Sequence, residues 1–598
     1  MPDSSQVTPI AFNCQGGLVL NRSTFMMQPG EALELENFEP DIEGGYRRIN
    51  GFSKYVSAVV PHTSDTSEKI LMVATFGDKV VAARGTNIFT ADPAGSSWTT
   101  VDSGRTNAGK YNFERYNFDG NDKFIVVDGT NAPTIFNTSF SATDVAPSST
   151  GTGESTTLLV AIASGTGMTG SGTITVADTS QFATPASGET GSLLIGNEQF
   201  TYTGKSSTTF TGVTRAQNNS VAADHEVGVL VSDLFPPAVA GAKFVVAFKE
   251  HMFYAGMSAN KQELVFSAPF IENSFSVAIG AGSIRVDDEI TGLKVFREDL
   301  FIFCQNRIFK LSGSSQANFS VTAVTRDIGC INGDTIQEFA GDLIFLGPDG
   351  LRTVAGTARI GDVELGTISS NVQSLFDDNL DTASEFESVV IPDKTQYRVF
   401  FTKAAQAQGS TQGVICVMKG QSFEFSKMKG IKPASTDTFI SAGNVIILHG
   451  DYANGFVYRQ EQGNDFDGTV INGKYRSPDL TFGDAGIRKH MQRVIVNFEP
   501  ESSIDADLFL RYDYESRDAV QPSAYPLDSE DVAALYGTST YGTSSSLKGT
   551  YGGTSRPLFR QSVEGSGFAV ALRVNDGAVT APYSLKGFQL EYQTGARR

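Results

Sequence analysis

The sequence predicts an all-β chain organised around a β-propeller, and three observations predict it: a hairpin unit that recurs seven times, a composition suited to short strands, and almost no helical periodicity. The 598 residues include 61 Gly, 43 Phe, one Trp and 19% charged residues, which favours strands and tight turns over long salt-bridged helices. Helical spacing is convincing at two places only. Ile368, Val372, Leu375 and Phe376 follow the i, i+4, i+7, i+8 pattern, and Ser529 can cap a short turn through Leu535.

The recurring unit is an apolar strand of four or five residues, a Gly or Asn turn, and a second apolar strand. Its copies begin at Lys79, Lys123, His251, Asp299, Asp342, Gln396 and Asn444. One gap is too long, and it contains a distinct segment, Ser155 to Ser232. With that segment set aside the spacing averages about 48 residues, the length of one four-stranded blade. Continuous apolar runs such as Phe124-Ile-Val-Val and Leu343-Ile-Phe-Leu mark strands buried on both faces, as stacked blades require. Six to eight blades fit, with seven the best match, since terminal blades are often atypical. The competing reading is a set of unrelated hairpins in two β-sandwiches.

This gives five segments: an arm over 1–60, first blades over 61–152, an inserted small β domain over 153–233, the remaining blades over 234–470, and a C-terminal β-sandwich over 471–598. The insert is rich in Gly, Ser and Thr and carries alternating strands such as GSLLIGNEQFTYTGK, enough for a small module that projects from a loop. The last segment has longer alternating strands, such as MQRVIVNF and GFAVALRV, interrupted by a polar stretch holding Tyr536, Tyr541 and Tyr551, each followed by Gly. That stretch reads as a long exposed loop, and its tyrosines as a possible gate or partner surface.

Charge and cysteine usage exclude several functions. With 46 Lys plus Arg against 66 Asp plus Glu the formal charge is -20, the opposite of a DNA-gripping or anionic-membrane protein. Cys14, Cys304, Cys330 and Cys416 lie far apart with no CxxC pair, so packed reduced thiols are expected rather than zinc ligands or disulfides. No apolar run is long enough to span a membrane, and the N-terminus lacks the basic and apolar regions of a cleavable signal, so a soluble, unexported chain is expected.

The chemistry-bearing motifs are weak. Gly204-Lys205-Ser206 ends like a P-loop but lacks its first glycine and its strand-to-helix context. His225-Glu226 begins like a zinc-protease motif, yet Val229 stands where the second metal ligand belongs. Asp465-Phe-Asp467-Gly468 is a fragment of a calcium loop, more simply read as an Asp-Gly turn, and Asp119-Gly-Asn-Asp122 is weaker. His62, His251, His449 and His490 read as turn or barrel residues rather than catalysts. A glycan-binding or glycan-cleaving propeller at a host surface is the alternative function. It would need two carboxylates across the channel, and the lone Trp98 with no repeated Ser-x-Asp-x-Gly-x-Thr-Trp box gives it little support. No catalytic residue, metal or cofactor is assigned, and no enzyme activity is expected.

The segment from Gln15 to Tyr55 is the most informative. It carries Gly16 and Gly17, the run Pro29, Gly30, Glu31, Ala32, the pair Asn37 and Phe38, and a closing Gly45, Arg47, Arg48 and Gly51. This arrangement resembles the opening of the tail nozzle proteins of short-tailed bacteriophages, the tail tubular protein B family. The insert, with LLIGNEQFTYTGKSSTTFTGVTR and AADHEVG, resembles a small β domain of phage tail proteins. The resemblance implies an arm, a propeller and a β-rich distal region in a virion tail protein assembled in the host cytoplasm. It implies six copies forming a tube below an adaptor, gated before infection, with fibres or other tail proteins as neighbours and genome DNA passing without specific binding. The acidic run Glu31, Glu34, Glu36, Glu39, Asp41, Glu43 followed by Arg47 and Arg48 is a charge switch suited to pairing with a neighbouring subunit or the adaptor.

Overall fold

The computed structural model describes residues 7–597 apart from 63–68, 107–108, 146–154, 181, 183, 186–187, 189, 197, 218–219, 234–238, 276–279, 355–366, 421, 442, 502–503 and 529–557. Its centre is a β-propeller. Four sheets of four strands span Met72 to Asp102, Asn112 to Asp144, Phe244 to Arg285 and Ile290 to Thr325, and a three-stranded sheet spans Gln337 to Thr353. The four strands from Glu385 to Lys429 form a sixth blade of consecutive strands. The closing sheet combines Pro433–Ser441, Asn444–Asp451 and Val457–Gln460 with Phe52–Lys54 from the arm. Each repeat copy found in the sequence begins at the second strand of its sheet, for example Lys79–Arg84, His251–Met257 and Gln396–Thr402. The repeat is therefore the central hairpin of a blade, the part buried on both faces by its neighbours.

The ring closes through specific contacts. Asp437 of the last sheet accepts the backbone N–H of Thr75 in the first at 3.0 Å and pairs with Arg115 in the second. Phe76 of the first sheet stacks on Phe124 of the second, their centroids 5.5 Å apart. The helical spacing at 368–376 becomes a single 3₁₀ turn, Ser370–Val372, followed by the helix Gln373–Leu380, with Val372, Leu375 and Phe376 buried. The second expected turn, Ser529 to Leu535, lies outside the described residues.

The insert forms its own seven-stranded sheet, and its first and last strands, Ser155–Thr157 and Leu230–Asp233, pair antiparallel. Its core of Leu158, Ile174, Leu193, Phe200, Phe210 and Val231 is separate from that of the blades. Because its ends pair with each other, the module leaves and rejoins the blade path at one place.

The C-terminal region packs two sheets face to face. Val494, Val496 and Phe498 with Leu585, Phe588 and Leu590 meet Leu508, Leu510, Leu572 and Val574 in one core. The arm belongs to both sheets. Thr8–Asn13 and Tyr46–Arg48 pair with the long last strand, Tyr583–Arg597, while Glu34–Glu36 lies between Ser422–Lys429 of the sixth blade and Gly473–Arg476. That one short strand makes a nine-stranded sheet running from propeller into sandwich.

Candidate functional site

The residues that carry the arm's motif meet at the joint between propeller and sandwich, and local sterics explain the glycines among them. Gly17 sits at φ +67°, where a Cβ would lie 2.7 Å from the backbone nitrogen of Phe425 in the sixth blade. A Cβ on Gly51 would fall 1.7 Å from the carbonyl oxygen of Asp465. Asn37, at φ 57°, fills a left-handed position that Asn tolerates. Its side chain donates to the Asn472 carbonyl at 2.9 Å and accepts the Lys429 N–H at 2.8 Å, bridging blade and sandwich.

Several members of the charge switch find partners within the chain. Glu31 pairs with Arg22 at 3.2 Å, Glu34 with Arg573 at 3.4 Å and Glu36 with Lys429 at 2.7 Å. Arg47 binds Glu39 at 3.1 Å and Glu501 at 2.7 Å. Arg48 is wholly buried and binds Asp576 at 2.9 Å, the Thr580 hydroxyl at 3.2 Å and the Asn464 carbonyl at 3.0 Å. Glu36 and Arg48 are both buried among partners of their own chain. Tyr536, Tyr541 and Tyr551 lie outside the described residues.

The centre of this joint is Glu39, which the sequence offered only as one member of an acidic run. It is 2% exposed and receives Lys394 at 2.6 Å, Arg398 at 3.0 Å and the Gln396 amide at 3.1 Å, while Glu461 binds the same lysine and arginine. Burial alone would raise its pKa, but Lys394, Arg398 and Arg47 outweigh it and hold the carboxyl down at about 2. A signal was present in the repeat itself. QYRVFF places Arg398 inside a fully buried strand, and a buried guanidinium demands a carboxylate partner.

A second polar centre lies on the propeller axis, in a cavity of about 300 Å³ lined by first strands of six sheets. Lys110 crosses it, binding Asp334 at 2.9 Å and also Glu387. Asp437 is held by Arg115 at 2.5 Å. Glu114 is different. Burial pushes its carboxyl up to about 7, with Lys294, the Ala247 backbone and Arg115 pulling only partly back.

The weak motifs resolve into structural roles. Glu198 takes the Arg215 guanidinium through both oxygens at 2.8 and 2.7 Å, His225 at 2.8 Å, and the N–H groups of Ala216 and Ala223. His225 thus belongs to the insert's buried hub, which joins its GNEQF, VTR and ADH segments, while Glu226 is exposed. Lys205 donates to the Thr179 carbonyl at 2.7 Å, in strand context rather than a phosphate loop. Asp465 accepts the Gly468 N–H at 2.9 Å, an Asp-Gly turn. His251 is buried against the Ser267 carbonyl at 2.6 Å, and His449 is buried beside Phe52 and Tyr458. All four cysteines are buried and unpaired, and burial raises the Cys14 and Cys330 thiols to about 12. Among the described residues no group of three His, Cys, Asp or Glu could hold a metal ion, and no helix is long and apolar enough to cross a membrane.

No protein-family model and no curated protein matches the sequence. Among solved structures the chain is similar to the AfRom2 CNH domain at 9% identity and TM-score 0.31, covering 69% of this chain and 97% of that one. It is similar to Kluyveromyces lactis Hsv2 at 7% identity and TM-score 0.25, covering 60% of this chain and 97% of that one. It is also similar to the exo-beta-1,3-galactanase of Phanerochaete chrysosporium at 8% identity and TM-score 0.21, covering 91% of this chain and 100% of that one. Likenesses this slight carry no functional argument.

Proposed function

We propose that this chain is a structural protein of a short-tailed phage virion, a nozzle or distal tube component assembled as a ring of six through which DNA leaves the particle. The observation that carries the reading is the opening segment from Gln15 to Tyr55, whose nozzle-like residues lie at the joint of propeller and sandwich. Gly17 and Gly51 are sterically required there, and Arg48 is enclosed there. A segment so placed fixes the two bodies relative to each other, which suits a scaffold that must hold its shape under load.

The charge distribution refines the reading. Residues 471–598 hold 14 Lys plus Arg and 15 Asp plus Glu, a net of -1, so of the total of -20 the remaining -19 lies on residues 1–470. On this reading the propeller side, rather than the sandwich, supplies the acidity that keeps phosphate from sticking. The axial cavity, crossed by Lys110, is too small for a duplex, so on this reading the DNA path runs between copies.

Electron microscopy of the purified chain and of virions tests the proposal. Rings of six and density for the chain on the tail are expected. Monomers that never form rings, together with a tail lacking this density, would end it.

A further inference from the structure

Next to the axial cavity lies a second one of about 480 Å³, between the second, third, fourth and fifth sheets, within the size range of small-molecule sites. Three lysines and three carboxylates line it, and five of the six are committed inside the chain. Lys110 is held by Asp334 at 2.9 Å, and Lys261 by Glu289 at 2.9 Å. Asp128 is held by Arg105 at 2.8 Å and by the N–H groups of Thr130 and Asn131. The sixth, Lys243, is exposed, and its ammonium makes no hydrogen bond or ion pair among the described residues.

The backbone is shaped around that lysine from two separate places. Gly129, two residues past the second strand of the second sheet, has φ +78°, and a Cβ there would lie 2.9 Å from Lys243 Cγ. Gly256 sits at a bulge in His251–Met257 with φ +75°, and a Cβ there would lie 3.0 Å from Lys243 Cβ. Both glycines line the cavity. Two left-handed glycines on different sheets thus seat the stem of one uncompensated ammonium at the wall of the cavity. Thr130 and Asn332 add a hydroxyl and an amide to the same wall.

We infer that this cavity binds a small anionic ligand, a carboxylate or phosphate group on a hydroxylated body, with Lys243 as its counter-charge. The inference is independent of the tail reading and stands or falls separately. An ammonium supplies point-charge recognition without the bidentate geometry of arginine, so carboxylate and phosphate share the site chemistry.

Calorimetry on the full chain with glucuronate, inorganic phosphate and glucose tests it. An anionic probe should bind at millimolar concentration and glucose should not. Lys243→Gln should weaken binding about tenfold or more, and Lys243→Arg should keep most of it. Glucuronate binding well above phosphate identifies a sugar acid as the ligand class, and phosphate binding equally or better identifies a free oxyanion. In the unaltered protein, the bound probe should also shield Lys243 from acylation, read by mass spectrometry. Neither anion binding, or binding and shielding that are indifferent to Lys243, would overturn the inference.

Discussion

Arg48 and Asp576 stand 528 residues apart in the chain and 2.9 Å apart in space, with neither side chain exposed, so the arm is tied to the sandwich by an ion pair shut away from water. Taking two charges out of water is costly, and removing one partner leaves the other stranded. Arg48→Met is expected to destabilise the protein by about 3–5 kcal/mol. Arg48→Met with Asp576→Leu should recover most of that loss. Urea unfolding of the single and double variants measures both, and a double variant as unstable as the single would show that the pair is not the joint.

Glu39 makes the same joint sensitive to acid. Its carboxyl is held at about 2 in the folded chain against an ordinary 4.5, so the folded state binds fewer protons than the unfolded chain between those values. The stabilisation is therefore full above about pH 4.5 and is lost as pH falls toward 2. Glu39→Gln should remove that dependence and cost about 3–5 kcal/mol at neutral pH, because Arg398 loses a buried partner. Thermal melts across pH 2 to 7 separate the two chains.

His449 should behave in the same sense at a different pH. Both ring nitrogens are buried without a hydrogen-bond partner among the described residues, and burial lowers the imidazole to about 3 from an ordinary 6.5. Its contribution is present above 6.5 and fades as pH falls toward 3. Since no hydrogen bond is lost, His449→Phe should be tolerated within about 1–2 kcal/mol and should flatten the melting profile over that range. A loss much larger than this would reveal a polar partner for the ring.

In the insert, Glu198 is the one acceptor shared by Arg215, His225 and two backbone N–H groups. Glu198→Gln should open the module while the blades stay folded, because its hydrophobic core is its own. Hydrogen exchange should accelerate over residues 155–233 and stay slow in strands such as Leu343 to Leu346. Uniform acceleration across the chain would mean that module and blades fold as one.

Gly51 offers a purely steric check on the arm. A Cβ there would overlap the Asp465 carbonyl at 1.7 Å, so Gly51→Ala should displace the arm strand Phe52–Lys54 from the closing sheet. Exposure of that strand to limited proteolysis would report the displacement, and an unaltered cleavage pattern would contradict it.

The sequence by itself determined the propeller, the insert and the paired long strands at the C-terminus, because each rests on local periodicity. Runs such as Phe124-Ile-Val-Val and Asp299-Leu-Phe-Ile-Phe-Cys are apolar on both faces wherever they sit, so hairpin spacing alone exposes the blades. Only the tertiary structure decided what the charged residues do. Glu36 and Arg48 read as surface charges, since the chain does not announce that Lys429 and Asp576 will lie beside them. Glu39 and Lys243 gained their roles from partners, or the lack of them, on sheets far away in sequence. Burial of apolar side chains is encoded within a few residues, whereas a charge takes its meaning from whatever folding brings within a few ångströms of it.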